Sequence, residues 1–110
     1  MFRVRYDKKD SEGGERVTFS WDAGDEHTHK TLQFSMTEWK AFLNLRKNAM
    51  EGQPKQPFSV DRYDVNIARD GSVSFVGRAG RDIGSLSLSP QVTDAATSII
   101  EKQKKGLASI

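Results

Sequence analysis

The strongest constraint in this sequence is an internal repeat with an offset of 56 positions. Segment 17–24 (VTFSWDAG) recurs in outline as segment 73–80 (VSFVGRAG), and segment 2–4 (FRV) meets segment 58–60 (FSV) at the same offset. Six identical residues share this offset. Self-similarity at a fixed spacing is typical of a structural unit that occurs more than once. The repeat therefore predicts a strand-strand-strand-helix unit that occurs twice in the chain.

Apolar and polar residues alternate in the segments before each predicted helix. Such a period of two is typical of strands with one buried face, and it predicts antiparallel sheets. Each helix start then carries its own signal. Ser35-Met36-Thr37-Glu38 reads as a capping box, and Ser89-Pro90 places an N-cap serine before a first-turn proline. We therefore expect an α+β fold in which two amphipathic helices pack on the apolar face of the sheets.

Apolar spacing of three and four residues predicts which face of each helix is buried. Gly106 should end the second helix, and Asp70-Gly71 should form a type I′ hairpin turn. The expected buried stripe is Met36, Trp39, Phe42 and Leu43 in the first helix, and Val92, Ala95, Ala96, Ile99 and Ile100 in the second.

Length and composition bound the class of protein. The 110 residues predict one domain, made of a first repeat (1–50), a linker (51–57) and a second repeat (58–110). Cysteine is absent, which excludes disulfides, thiolate metal sites and cysteine nucleophiles. There is no apolar run of membrane-spanning length and no signal-peptide pattern at the N-terminus, so we expect a cytoplasmic protein without a membrane partner.

The outward strand faces are the first candidates for a binding site. Arginine and lysine pair with phosphates, and serine, threonine and asparagine bond to phosphate and sugar. A net charge of +2 permits a polyanion but does not demand one, so an ordinary solvated sheet face is the alternative. The expected nucleic-acid-binding residues are Arg3, Arg5, Arg16, Lys30, Arg78 and Arg81.

The aromatic residues that could stack on bases fall on the core side of the predicted strands. Alternation places Tyr6, Trp21 and Tyr63 there, so the outer faces lack obvious stacking rings. Base stacking contributes about 1–3 kcal/mol per base. Binding should therefore rest on phosphate contacts and weaken with salt.

Catalytic and metal-binding patterns are weak. His27 and His29 could lie on one side of a turn, but zinc needs further ligands, and a solvated loop explains the pair as well. No nucleophile motif and no glycine-rich phosphate loop precedes a helix. We expect no enzyme activity, no catalytic residues, no cofactor and no metal site.

The segment Lys30–Trp39 resembles the strand-to-helix junction of the positive-cofactor-four, PUR and Whirly group of single-stranded nucleic-acid-binding proteins. Segment 84–90 resembles the same junction, although Val92 and Thr93 stand where an acidic-aromatic pair is expected. The resemblance implies a curved antiparallel sheet followed by a helix, with two such units forming the working body. In PUR proteins both units lie in one chain, which suits the repeat. It implies binding of single-stranded DNA or RNA.

A second hypothesis uses the same fold for a different task. A small interaction or inhibitor protein of the phage-encoded kind would dock an exposed strand edge or helix on another protein. The low net charge favours this alternative. The sequence leaves open whether the repeats pair within one chain or across a homodimer, and whether the nucleic acid is DNA or RNA.

Overall fold

The fold is α+β, with two antiparallel sheets and two helices. The computed structural model describes residues 2–8, 14–22, 29–77 and 85–108. Three strands precede the first helix and four precede the second, so the second unit has one strand more than predicted. In chain order the elements are β1 (Phe2–Lys8), β2 (Glu15–Asp22), β3 (His29–Ser35), α1 (Met36–Met50), β4 (Ser59–Val60), β5 (Tyr63–Ile67), β6 (Val73–Gly77), β7 (Ser85–Leu88) and α2 (Pro90–Ala108).

Strand pairing corrects one part of the repeat alignment. The first sheet has the order β1-β2-β3, and the second has the order β4-β5-β6-β7. β1 pairs with β2, whereas β4 pairs with β5 and not with β6. The strand that corresponds to β1 by its pairing is therefore β5. The match between segments 2–4 and 58–60 does not identify equivalent strands, because alternating apolar residues are common to any half-buried strand.

The matches between β2 and β6 that fall on described residues, Val17 with Val73 and Phe19 with Phe75, occupy equivalent positions. The central core-facing rows are Val4–Phe19–Leu32 in the first sheet and Val65–Phe75–Leu86 in the second. Phe19 and Phe75 are both fully buried. Their rings contact each other edge to face, with centroids 5.8 Å apart, a geometry that aromatic pairs prefer. The two units therefore meet in a common apolar core at corresponding residues.

The first helix begins and packs as its sequence predicts. The Ser35 hydroxyl accepts from the Glu38 backbone N–H at 3.1 Å, and the Glu38 carboxylate accepts from the Ser35 N–H at 2.9 Å. This capping box satisfies two donors that the first turn would otherwise leave unpaired. Trp39 and Phe42 are buried and contact the Phe34 ring, while Met36 and Leu43 are half-buried against the same core.

Arg46 is the one charged residue that is buried among those the structure describes. Its guanidinium donates to the Gly71 carbonyl at 2.8 Å and to the Asp94 carboxylate at 2.7 Å, with a longer bond to the Pro90 carbonyl at 3.4 Å. A cation near the C-terminal end of a helix usually complements the helix dipole. Arg46 instead connects α1 with the β5–β6 hairpin and with the start of α2.

The hairpin between β5 and β6 differs from the predicted type I′ turn. That turn needs positive φ at both central residues, but only Gly71 has it (φ 93°). The Gly71 N–H donates to the Ala68 carbonyl, and the Ala68 N–H donates to the Ser72 carbonyl, which encloses a three-residue loop. Bonds from the Ser72 hydroxyl and backbone N–H lower the pKa of the Asp70 carboxyl and fix the loop.

Gly71→Ala is expected to destabilise the protein by about 1–3 kcal/mol, because an L side chain is strained at positive φ. The added Cβ would also lie 2.7 Å from the Arg46 guanidinium and 3.0 Å from the Met50 sulfur. Gly106→Ala is the matched control, since its Cβ meets nothing within 4 Å and alanine favours a helix by about 0.5–1 kcal/mol. Urea unfolding measures both. Equal effects of the two substitutions would contradict the strained geometry.

The second helix begins as predicted but buries a different face. The Ser89 hydroxyl accepts from the Val92 N–H at 3.1 Å, with Pro90 in the first turn. Thr93, Ala96 and Ile100 are buried, whereas Val92, Ala95 and Ile99 are exposed. The predicted stripe is confirmed at Ala96 and Ile100 and wrong at Val92, Ala95 and Ile99, because the apolar residues of α2 form two adjacent rows and only one faces the core. The helix also continues through Gly106 to Ala108.

Candidate nucleic-acid interface

The outer face of the first sheet carries three of the predicted arginines. Alternation along β1 turns Phe2, Val4 and Tyr6 to the core side, so Arg3 and Arg5 lie on the other side. Arg16 takes the same side of β2. We call this surface the basic face. Its rows, from β1 to β3, are Arg3–Ser20–Thr31, Arg5–Thr18–Gln33 and Asp7–Arg16–Ser35.

The arginines of the basic face are evenly spaced. Alternate residues on a strand lie about 6.8 Å apart, which is the expected separation of Arg3 and Arg5 along β1. Arg16 is diagonal to Arg5 across the β1–β2 pair, and diagonal neighbours are roughly 7–8 Å apart. The three side chains therefore form a short track of cations at similar intervals.

Two carboxylates lie on the same side of the sheet as this track: Asp7 on β1, and Asp22 on β2, which is diagonal to Arg3. The Asp7 carboxylate accepts from Arg5 Nε at 2.9 Å. The Arg5 side chain is 68% exposed, so water screens the pair and its contribution to stability is small. A guanidinium has five N–H donors. The remaining donors of Arg5 can therefore still reach an anion on the basic face.

Thr18 lies at the centre of the basic face and is unusual for an outward residue. Its cross-strand neighbours are Arg5 and Gln33. Only 8% of the residue is exposed, and its hydroxyl has no hydrogen-bond partner. An unpaired buried hydroxyl costs about 1–3 kcal/mol. A ligand oxygen that reached it between the long neighbouring side chains would remove that cost. The sequence predicts the outward direction of Thr18 but not its burial.

Of the other predicted cations, the structure describes only Lys30, which does not lie in the same track. Lys30 is opposite Trp21 in the β2–β3 pair and shares the core-side alternation of Leu32 and Phe34. Lys30 therefore lies near the start of β3 on the core side of the first sheet, away from the basic face. Arg78 and Arg81 lie outside the described residues, as do His27 and the turn around it.

The outer face of the second sheet differs from the basic face. Its described positions carry one carboxylate, Asp64, and one exposed apolar residue, Val76, but no lysine or arginine. Serine and asparagine occupy the rest, namely Ser59, Asn66, Ser74, Ser85 and Ser87. The positive charge of the described sheet faces is therefore confined to one unit.

Side chains of the second unit cover both edges of the first sheet. The Gln103 side-chain oxygen accepts from the Tyr6 backbone N–H on β1 at 2.7 Å. On the opposite edge, the Asp61 carboxylate accepts from the Gln33 backbone N–H at 3.1 Å. Asp61 has positive φ (57°) in the β4–β5 turn. These bonds occupy backbone donors that an added strand would need, and they leave the basic face itself open.

The core side of the first sheet contains one perturbed group near the basic face. Burial raises the pKa of the Tyr6 hydroxyl, and its hydrogen bond and proximity to the Glu15 carboxylate raise that pKa further. The hydroxyl therefore stays neutral at ordinary pH. Tyr6 acts as part of the core and not as a surface ring for base stacking, as its alternation predicts.

Other kinds of site find little support in the described part of the chain. No group of three or more histidine, aspartate or glutamate side chains in residues 2–8, 14–22, 29–77 and 85–108 is arranged to hold a metal ion. Over the same ranges, neither helix has the combination of length and apolar character needed to span a bilayer.

Comparison with known proteins gives no relative on which to base a function. No protein-family model matches the chain. No curated protein and no solved structure is significantly similar to it either. Any functional assignment must therefore come from the geometry of the chain itself.

Proposed function

We propose that the protein binds single-stranded DNA or RNA through the basic face, with Arg3, Arg5 and Arg16 on phosphates. The observation that carries the proposal is the convergence of these three residues on one side of the first sheet. They come from two strands, yet the register gives them one direction and a regular spacing. Guanidinium groups bind phosphate oxygens in a bidentate manner, which makes arginine well suited to this contact.

Binding by this face should be largely independent of base sequence. Tyr6, Trp21 and Tyr63 are buried in the core, so they offer no ring to a base on the outer surface. Thr18, Ser20, Thr31 and Gln33 provide hydrogen bonds that suit phosphate and sugar oxygens. Phosphate contacts fix position and carry no direct sequence information. We therefore expect the sugar-phosphate backbone of the nucleic acid to lie along the arginines of the basic face.

The two-unit order of strands and helices agrees with the architecture implied by the PUR and Whirly resemblance. In the described residues, however, the basic face belongs to the first unit alone. Lys30 faces the other side at the end of its row, and the second sheet offers no described cation. The proposal therefore rests on Arg3, Arg5 and Arg16, with Arg78 and Arg81 as further expected contacts.

Arg3→Ala, Arg5→Ala and Arg16→Ala combined are expected to weaken oligonucleotide binding by at least tenfold at low salt, because three phosphate contacts are lost. Fluorescence anisotropy with a labelled single-stranded oligonucleotide measures the change. The matched control removes the same charge from Arg62, Arg69 and Lys102, which are exposed outside the basic face. It should bind within about twofold of the unchanged protein. If both variants lost affinity equally, the effect would come from net charge alone, and a defined binding face would be rejected.

A second candidate function is docking on another protein, with no nucleic-acid binding. The observation that favours it is the exposed apolar row of α2, in which Val92 is 40% and Ile99 is 42% exposed, with Ala95 between them. Exposed apolar residues at this spacing are typical of a helix that meets an apolar groove. This function predicts a stable complex that survives high salt and no response to oligonucleotides.

A further inference from the structure

A cleft of about 340 Å³ lies between α1, the 51–57 linker and β5. The cleft is remote in sequence from the basic face, and it lies beside the residues that immediately precede β4. The Val65 N–H donates to the Phe58 carbonyl at 2.9 Å, so the chain runs beside β5 up to that point. The preceding linker residues then diverge from β5. The volume falls within the range of small-ligand pockets, which is about 300–1,000 Å³.

The cleft borders an edge of β5 at which the backbone groups of Ile67 are not paired with another strand. Alternate residues of a strand direct their backbone groups to the same side. Val65 bonds toward Phe58, and the Ala68 N–H bonds on the opposite side to Ser72. The N–H and C=O of Ile67 therefore face the linker. Residues 45–67 are described throughout, and no backbone group among them pairs with Ile67 on this side.

The walls of the cleft combine flat apolar surface with amides. Leu45, Ala49 and Pro54 line it together with the half-buried Phe58 ring. Asn48 projects from α1, and Asn66 is adjacent to Ile67 on β5. Both amides carry a donor and an acceptor. The cleft thus offers a backbone donor–acceptor pair, side-chain amides and an apolar contact for the face of a ring.

We propose that this cleft binds an adenine-type purine base, with the Ile67 N–H and C=O on the edge of the base. Adenine presents an amino donor beside a ring-nitrogen acceptor, and asparagine amides also match that pattern. The base can belong to a free nucleotide or to a nucleic-acid strand. The proposal does not rest on the basic face, because none of its residues lines the cleft.

The test is a titration of the ¹⁵N-labelled full-length chain with adenosine, followed by NMR. We expect a saturable downfield shift of the Ile67 amide proton and a much smaller shift at Ala68, whose N–H is already bonded to Ser72. N6,N6-dimethyladenosine lacks the amino donor for the Ile67 carbonyl and should bind at least tenfold more weakly. No shift at Ile67, or equal affinity for the two nucleosides, would overturn the proposal.

Variants test the position of the site independently. Asn48→Ala should weaken adenosine binding at least fivefold, and Ala49→Leu should block it by filling the cleft. Asn44→Ala, one turn earlier on the exposed side of α1, is the matched control and should bind as the unchanged protein does. Equal binding by the Asn48 and Asn44 variants, with Ala49→Leu also unaffected, would place the ligand elsewhere and reject the cleft.

Two further titrations separate the sources of the base. A higher affinity for adenosine monophosphate than for oligo(dA), measured at Ile67, indicates a free nucleotide. A higher affinity for oligo(dA), with no shift from oligo(dT), indicates a base within a strand. The combined Arg3, Arg5 and Arg16 variant should keep its response to adenosine. A loss of oligonucleotide binding in that variant therefore tests the basic face, and a loss of the Ile67 response tests the cleft.

Discussion

Phe19→Ala is expected to lower the free energy of unfolding by about 3–5 kcal/mol, the usual cost of truncating a buried phenylalanine. Phe19 is 1% exposed and contacts rings of both units, with centroids 5.1 Å away at Phe34, 5.8 Å at Trp39 and 5.8 Å at Phe75. Urea unfolding followed by tryptophan fluorescence measures the loss. Val76→Ala, on the exposed face of β6, is the control and should cost less than about 1 kcal/mol.

A double-mutant cycle shows whether the two units are coupled through these rings. Phe19→Leu and Phe75→Leu each remove one partner of the edge-to-face pair. We expect a coupling energy of about 0.5–1.5 kcal/mol, as is usual for buried aromatic pairs. Distant residues add within about 0.3–0.5 kcal/mol. Additive effects within that range would contradict a core shared at Phe19 and Phe75.

Arg46→Met is expected to destabilise the protein by about 2–4 kcal/mol. Methionine fills much of the space but leaves the Gly71 carbonyl without its partner, and a hydrogen bond from a charged group contributes about 1.5–3 kcal/mol. The lost contact should also loosen the β5–β6 hairpin. Thermal unfolding gives the first effect, and faster amide hydrogen exchange at Ala68 and Gly71 gives the second.

Asp94→Asn separates the buried carbonyl contacts of Arg46 from its ion pair. The Asp94 side chain is 69% exposed although it lies 2.7 Å from Arg46, so the charge pair should contribute less than about 1 kcal/mol. A neutral Arg46→Met would contradict this account and would show that the Gly71 contact contributes little.

Local chemistry made part of the fold predictable. The capping box at Ser35 needs only neighbouring residues, and the alternation around Phe19 gives the buried side of β2 directly. The repeat then aligned Phe19 with Phe75, which occupy corresponding rows. The same alignment failed for β4, because short apolar alternations resemble one another whichever strand they pair with.

The remaining features depend on contacts between distant segments. α2 has two apolar rows, and only its packing against β1 and β7 decides that Ile100 is buried and Ile99 exposed. The contacts of Arg46 have no local sequence signal, because its acceptors at Gly71 and Pro90 lie far along the chain. The cleft at Ile67 has no sequence signal, because it arises where β5 extends beyond the residues that pair with the short strand β4.

The candidate site was predictable to a similar extent. Alternation predicts that Arg3 and Arg5 lie on the outer side of β1 and that Arg16 lies on the outer side of β2. The register of the β1–β2 pair then brings the three residues to the same face of the sheet. Lys30 is the exception, because β3 begins at His29 and the alternation of Lys30 with Leu32 turns it to the other side. The burial of Thr18 depends on long side chains from two neighbouring strands, which no single-strand pattern reports.

The salt dependence of oligonucleotide binding tests the central claim most directly. Three phosphate contacts with a single strand contribute about −2 to the slope of the logarithm of the binding constant against the logarithm of salt concentration. The slope should become less negative by about 2 when Arg3, Arg5 and Arg16 are all alanine, and it should be retained when Arg62, Arg69 and Lys102 are replaced. Absence of binding at low salt, or an unchanged slope in the basic-face variant, would contradict the account.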